Sequence, residues 1–149
     1  MKANATQTQQ KPIIFTTQHR SRFSELDPYG HLNSQHYITY FLEHRLEGIR
    51  TYLDLNLTAL TRLPVALVVQ SIQTEYLKPI FGDESFRIDS YVESSTEKSA
   101  TVLGTLMKKD ETIAAKFNVR LVCVDKQTNR SCPWPEGLIE RFYLPNDAV

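Results

Sequence analysis

One long amphipathic stripe, between Asn33 and Leu53, limits what this chain can fold into. Ile38, Phe41, Leu42, Arg45, Ile49, Tyr52 and Leu53 recur at spacings of three and four, the repeat that lines side chains along one face of an α-helix, here over roughly five turns. Asn33 stands where an N-cap belongs, with a side-chain oxygen that can take one of the helix's first N–H groups. Gly48 lowers the local helix propensity by up to about 1 kcal/mol relative to Ala; either another backbone passes close to it or the glycine is simply tolerated. A stripe this long must be covered, and the remaining chain has to supply the cover.

The remaining chain reads as strands. From Ile13 to Phe23, residues Ile13, Phe15, Thr17, His19, Ser21 and Phe23 share one face while Arg20 and Arg22 fall on the other. The segment SELDPYGHLNSQHY then carries Pro28 and Gly30 close together, so a loop leads into the helix. Beyond Leu63 and Pro64, period-two segments are expected at about 65–78, 85–94, 100–109 and 112–125. Alternation is plain in Phe86, Ile88, Ser90 and Val92, and again from Ile113 to Cys123. Gly82-Asp83, Glu97-Lys98-Ser99 and Lys109-Asp110-Glu111 supply the turns, which makes the sheet mostly antiparallel. One strand, one long helix and then four strands exclude a doubly wound α/β arrangement and leave an α+β fold in which one sheet covers one helix.

Length and composition fit that picture. The chain has 149 residues, enough for one core, and residues 12–149 are expected to form a single domain. Residues 1–11 have no large apolar side chain after the first Met and are expected to fray. Lys plus Arg and Asp plus Glu both count 17, so no global field draws in nucleic acid or an anionic membrane. Cys123 and Cys132 are too few for a disulfide framework and read as buried or free thiols. The polar N-terminus lacks the apolar stretch of a signal peptide, and no apolar run approaches the roughly 20 residues that span a bilayer; a cytoplasmic protein is expected.

The sequence has no GxSxG, GxGxxG or GxxxxGK[ST], so an ordinary serine hydrolase, a Rossmann enzyme and a P-loop nucleotidase lose support. The informative stretch is FSELDPYGHLNSQHYITYFLEHR, Phe23 to Arg45, where a polar loop runs into the start of the long helix. The first N–H groups of a helix lack intrahelical partners and carry partial positive charge, so they can polarise a carbonyl or hold an oxyanion. Asp27 lies just upstream, where a carboxylate can act as general base on water or as nucleophile on an acyl group. Asp-Pro followed by Gly is equally a common turn, and on spacing alone both readings stand.

This stretch resembles the N-terminal signature of hotdog-fold thioesterases of the 4-hydroxybenzoyl-CoA thioesterase superfamily, in which an Asp, a Gly and often His-x-Asn lead into the central helix. Here those positions are Asp27, Gly30, His31 and Asn33, followed by Tyr37, Phe41, Glu43 and Arg45 in the helix. TEYLKPIFGDESFRIDSYV from Thr74 and VRLVCVDKQTNRSCPWPEGL near the end are similar to later family segments, so the resemblance covers about Ile13 to Leu138. Two positions depart: many relatives carry Asp-x-Asp where this chain has Glu25-Leu26-Asp27, and many have a second Asn where it has Ser34.

The resemblance implies a hotdog fold, an antiparallel sheet of five or six strands wrapped around one long central helix. It further implies a homodimer or homotetramer with acyl-CoA sites at the subunit interface, no metal, and no cofactor beyond the coenzyme A of the substrate itself. By position Asp27 matches the catalytic carboxylate and the Ser34 backbone N–H faces the thioester carbonyl, with His31 and Asn33 organising the pocket. Tyr37, Glu75, Lys78 and Arg87 are the expected substrate contacts, and Glu75 is also the rival carboxylate. His31 as a loop histidine, Asn33 as a plain N-cap and the cations Lys78, Arg87, Lys108, Lys109 and Arg120 as solvated charges are the competing structural readings. His19, His36 and His44 form no recognised zinc spacing. The expected reaction is hydrolysis of an acyl-CoA thioester; the alternatives are an acyl-carrier-protein thioesterase, an enoyl-thioester hydratase or dehydratase, and a non-catalytic acyl-thioester binding module.

Overall fold

The stripe after Asn33 folds as a helix. In the computed structural model, which describes residues 10–145, α1 spans Ser34–Leu53. Asn33 is its N-cap, in extended backbone conformation, and the side chain accepts the Gln35 N–H at 3.2 Å. At the other end Asp54 takes the left-handed conformation, φ 53°, and its N–H returns to the Ile49 carbonyl. A short helix, α2 (Leu57–Thr61), follows.

Five strands make the cover: β1 (Phe15–Arg20), β2 (Val65–Tyr76), β3 (Ser85–Ser95), β4 (Ser99–Lys108) and β5 (Ile113–Asp125). All pairings are antiparallel and the order is β1-β3-β4-β5-β2. Hairpins join β3 to β4 and β4 to β5, the second through Glu111 at φ 66°. The α1 connection therefore carries the chain from one edge of the sheet to the other, which lays the helix across one face. This is the α+β hotdog arrangement. Inward residues of β3 (Phe86, Ile88, Ser90, Val92) are buried and alternate with half-exposed Arg87, Asp89 and Tyr91 on the outer face. Phe41 of α1 stacks on Phe117 of β5, ring centroids 4.4 Å apart, at the centre of the core.

Three details differ from the sequence expectation. The alternation expected from Ile13 to Phe23 is present in the burial pattern as far as Arg22, but strand pairing covers only Phe15–Arg20. The chain then folds into a 3-10 turn at Phe23–Glu25, where the Glu25 carboxylate accepts the Arg22 N–H at 2.7 Å, and Phe23 points outward, 93% exposed. Of the expected fraying segment, residues 1–9 lie outside the described residues; Lys11 accepts the Leu144 N–H at 2.8 Å and Pro12 bridges Tyr143, tying that end to the C-terminal segment.

The third difference is the rotation of α1. Its buried face is Tyr37, Phe41, His44, Gly48 and Leu53, whereas Leu42 and Tyr52 from the expected stripe are each 42% exposed. Two features set this rotation. A Cβ on Gly48 would overlap the ring of Phe15, so it is a β1 side chain, rather than a backbone, that passes closest to the helix there. His44, which lies outside the expected stripe, is fully buried and holds Thr17 Oγ1 and Ser90 Oγ at 2.6 Å each through its two ring nitrogens, so this polar side chain is satisfied within the core. Gly48→Ala is expected to destabilise the fold by about 1–3 kcal/mol through overpacking, seen as a lower denaturation midpoint at unchanged m-value.

His44 also carries a pH signature. Burial, with Arg45 and His19 adding to it, pushes its imidazole down to about 3 from 6.5. The unfolded chain therefore binds this proton first, and stability falls as pH drops through the window from 6.5 to about 3. His44→Asn is expected to be less stable at neutral pH and to show a shallower loss across that window, measured by denaturant titrations at a series of pH values.

Candidate active site

The loop before α1 is pinned at both ends. Glu25 holds the Arg22 N–H and the Tyr40 hydroxyl with its carboxylate, while its carbonyl accepts the Asn33 N–H at 2.8 Å. Burial, with Glu25 adding to it, raises the Tyr40 phenol well above its ordinary value and keeps it a donor. Between these anchors Leu26 bridges Leu32, the Asp27 N–H meets the His31 carbonyl at 2.7 Å, and the Gly30 N–H meets the Asp27 carbonyl at 2.9 Å. Gly30 closes the turn at φ 77°, a conformation that side chains with a Cβ rarely adopt. A second line of bonds docks the loop on the segment before β3: Leu32 N–H to Ile80 O at 2.7 Å and Gly82 N–H to Gly30 O at 3.0 Å.

Asp27 sits inside this frame. Its Oδ1 accepts the Tyr29 N–H at 2.8 Å and the His31 N–H at 3.0 Å, so the turn chemistry and the positioning of the carboxylate are one feature. Oδ2 accepts no hydrogen bond among the described residues. The carboxylate borders an open cavity of about 390 Å³ that also takes in His31, Asn33, Ser34, Tyr37, Tyr76 and Lys78. Ser34 is the first residue of α1 and, among the described residues, its N–H has no protein acceptor, because the Asn33 side chain caps Gln35 instead. Such an N–H, at the positive end of a helix of 20 residues, can receive a carbonyl oxygen. No group of three or more His, Cys, Asp or Glu side chains that could hold a metal ion occurs among the described residues.

Tyr76, at the end of β2, donates its hydroxyl to the Ser34 carbonyl at 3.0 Å and meets Tyr37 edge-on, ring centroids 5.0 Å apart. Burial raises the Tyr37 phenol above its ordinary value, so it enters the cavity wall as a neutral group. His31 is tied to Asp27 by its backbone; its ring lies between Tyr29 at 6.0 Å and Phe81 at 4.9 Å.

The structure thus brings together Asp27, His31, Asn33, Ser34, Tyr37 and Lys78. Within one chain it does not bring Glu75 or Arg87 to them. Side chains alternate along a strand, so with Tyr76 turned to the helix start, Glu75 faces the outer side of the sheet, beside Gln73, Asp89 and Lys116. Arg87, on that outer face of β3, is held by Asp89 at 3.0 Å and by Glu111 at 2.7 Å, and these carboxylates raise its pKa above the ordinary arginine value. Lys108 pairs with Glu84 at 3.2 Å, whereas Lys78 has no ion pair among the described residues. Tyr76 was the residue that sequence reasoning missed; its signal was period two, which sets it on the face opposite Glu75.

A second, apolar cavity of about 200 Å³ lies between the later turns of α1 and the sheet, with Phe41, Val102, Val119, Trp134 and Phe142 in its wall. Arg45 lines it too, its guanidinium 4.4 Å from the Phe15 ring centroid and bonded to Ser90 Oγ at 3.0 Å. Burial pushes the Arg45 guanidinium down to about 10.

A family model described as the thioesterase-like superfamily matches residues 21–142, and the chain belongs to that superfamily. Among solved structures it is similar to a hypothetical Staphylococcus aureus protein in complex with CoA, with 21% identity over 88% of this chain and 82% of that one and a TM-score of 0.80. DHNA-CoA thioesterase from Staphylococcus aureus is 19% identical over 85% of each chain, TM-score 0.76. The probable thioesterase YbaW from Escherichia coli is 23% identical over 85% of this chain and 95% of that one, TM-score 0.75. A comparison with curated protein sequences found no match.

The cap on α1 is a separable part of the site. Asn33→Ala is expected to lower stability by about 1 kcal/mol, and Asn33→Asp, which keeps an acceptor at the same place, to restore most of it in chemical denaturation.

Proposed function

We propose that the protein hydrolyses an acyl-CoA thioester to the free acid and coenzyme A. The observation that carries this reading is the single cavity where the Asp27 carboxylate and the unclaimed Ser34 N–H at the start of α1 meet. The thioester carbonyl oxygen accepts from Ser34 N–H, which takes up the charge that develops on attack. Asp27, with Oδ1 fixed by two N–H groups, presents Oδ2 either to a water, as general base, or directly to the carbonyl carbon, as nucleophile. In the first case water adds, the C–S bond breaks and the thiolate leaves as the thiol with the proton Asp27 removed. In the second, an acyl-aspartyl anhydride forms and water cleaves it. His31 holds Asp27 through its backbone, Asn33 holds the helix start, Tyr37 contacts the substrate, and Lys78, which borders the cavity and has no ion pair among the described residues, meets a phosphate.

A second copy belongs to this reading. β2 is a free edge of 12 residues, with Val68, Val69 and Tyr76 exposed along it and Leu77 just beyond. Long apolar edges are seldom left bare, and pairing of two such edges gives a homodimer, with a tetramer as its further assembly. Sedimentation of the purified protein as a monomer at micromolar concentration would remove the shared-site part of the reading.

Free-thiol release from short, long and aromatic acyl-CoAs is the direct test. Asp27→Asn is expected to lower kcat/KM by roughly a hundred- to ten-thousand-fold while leaving the fold intact. Equal turnover by both proteins would move the catalytic assignment toward Glu75. Release only from acyl-carrier protein would replace the carrier and keep the chemistry, and no release from either thioester would end the hydrolase reading.

A further inference from the structure

Near the end of β5 the two cysteines of the chain face each other. The strand ends at Asp125, the chain turns, and the returning segment donates the Cys132 N–H to Cys123 O at 3.0 Å while Arg130 O accepts the Asp125 N–H at 2.8 Å. With Val124 opposite Ser131, this register sets Cys132 directly across from Cys123. One backbone bond joins the pair, since the Cys123 N–H goes to Lys98 O at 2.8 Å; residues directly opposite in an antiparallel ladder have Cα atoms about 4.5–5.5 Å apart. That separation lies inside the window of roughly 4.4–6.8 Å that a disulfide spans. Both residues are thiols, and the sulfurs are already in contact at 3.7 Å.

Their surroundings differ. Cys123 is fully buried, whereas Cys132 is partly open to solvent. Two residues on, Trp134 fastens the same segment to the β3–β4 turn, its N–H to Glu97 O at 3.0 Å and its indole N–H to Thr96 O at 3.1 Å. The same ring forms part of the wall of the apolar cavity.

We propose that Cys123 and Cys132 are an oxidisable dithiol, a modification site that a peroxide closes into an intrachain disulfide, fastening the Trp134 segment to β5. Cys132, the accessible partner, attacks a peroxide oxygen as the thiolate; the O–O bond breaks, hydroxide leaves and a sulfenic acid remains. Cys123 sulfur then attacks Cys132 sulfur, the S–O bond breaks, and the departing hydroxide takes the Cys123 proton as water. Per disulfide, two thiols lose two electrons and one hydrogen peroxide becomes two waters. Cys123 is shielded from peroxide by its burial, which, with Cys132 adding to it, also pushes its thiol up to about 12.

The full-length protein, its Cys132→Ser variant and its Cys123→Ala variant are treated with hydrogen peroxide under native conditions. Intact mass and peptide mapping are read alongside emission from Trp134, the one tryptophan of the chain. The expected result is loss of the mass of two hydrogens in the wild type alone, a linked pair of peptides containing Cys123 and Cys132, reversal by dithiothreitol, and an emission maximum that stays folded throughout. Four results would overturn the proposal: oxygen added to Cys132 without linkage, linkage only between chains, linkage only once the emission reports unfolding, or no reaction at all.

Discussion

The seating of α1 on β1 and β3 governs the rest of this molecule. A helix on a sheet can rotate about its own axis at little expense if its stripe is broad, and the stripe here is broad. What selects one rotation is a pair of contacts on the same helix face: the Phe15 ring in the space left by Gly48, and His44 bonded at once to Thr17 and Ser90. Turning the helix by one residue would press a Cβ against Phe15 and leave a buried imidazole without partners, each a loss of about 1–3 kcal/mol. With the rotation set, Phe41 meets Phe117, Tyr40 reaches Glu25, and the first N–H of the helix emerges beside the Asp27 loop.

The loop completes the geometry without a large core of its own. Its stiffness comes from closely spaced backbone bonds, with the Glu25 and Asp27 carboxylates acting as internal caps and Gly30 absorbing the one backbone angle that a side chain would oppose. A carboxylate positioned this way pays little entropy on meeting a substrate, because its own turn already holds it. A role as turn residue therefore does not compete with the reactive role proposed for Asp27. The apolar cavity farther along α1 shares a wall with the C-terminal segment, so the cysteines and Trp134 bear on a region well removed in sequence from the Asp27 loop.

Much of this was legible in the residues. Strands at 65–78, 85–94, 100–109 and 112–125 were expected from period two and turn chemistry, and the observed strands agree to within two residues at each end. Asn33 as N-cap came from its residue type and place. The misplaced details share a cause, namely that local pattern is blind to a partner distant in sequence. Phe23 continues the alternation of β1 and yet is exposed, because Glu25 captures the Arg22 N–H and curls the chain. Leu42 and Tyr52 fit the stripe as well as Tyr37 and His44, but apolarity alone carries no information about which flank of a helix the sheet will meet.

The sequence by itself determined that one long helix had to be covered by one antiparallel sheet and that a polar loop bearing Asp27 would feed the helix start, because periodicity, caps and turns are local properties of neighbouring residues. Only the tertiary structure decided the rotation of α1, the gathering of Lys78 and Tyr76 beside Asp27, and the contact between Cys123 and Cys132. Those outcomes depend on strand register and on contacts between residues tens of positions apart, and no local pattern encodes them.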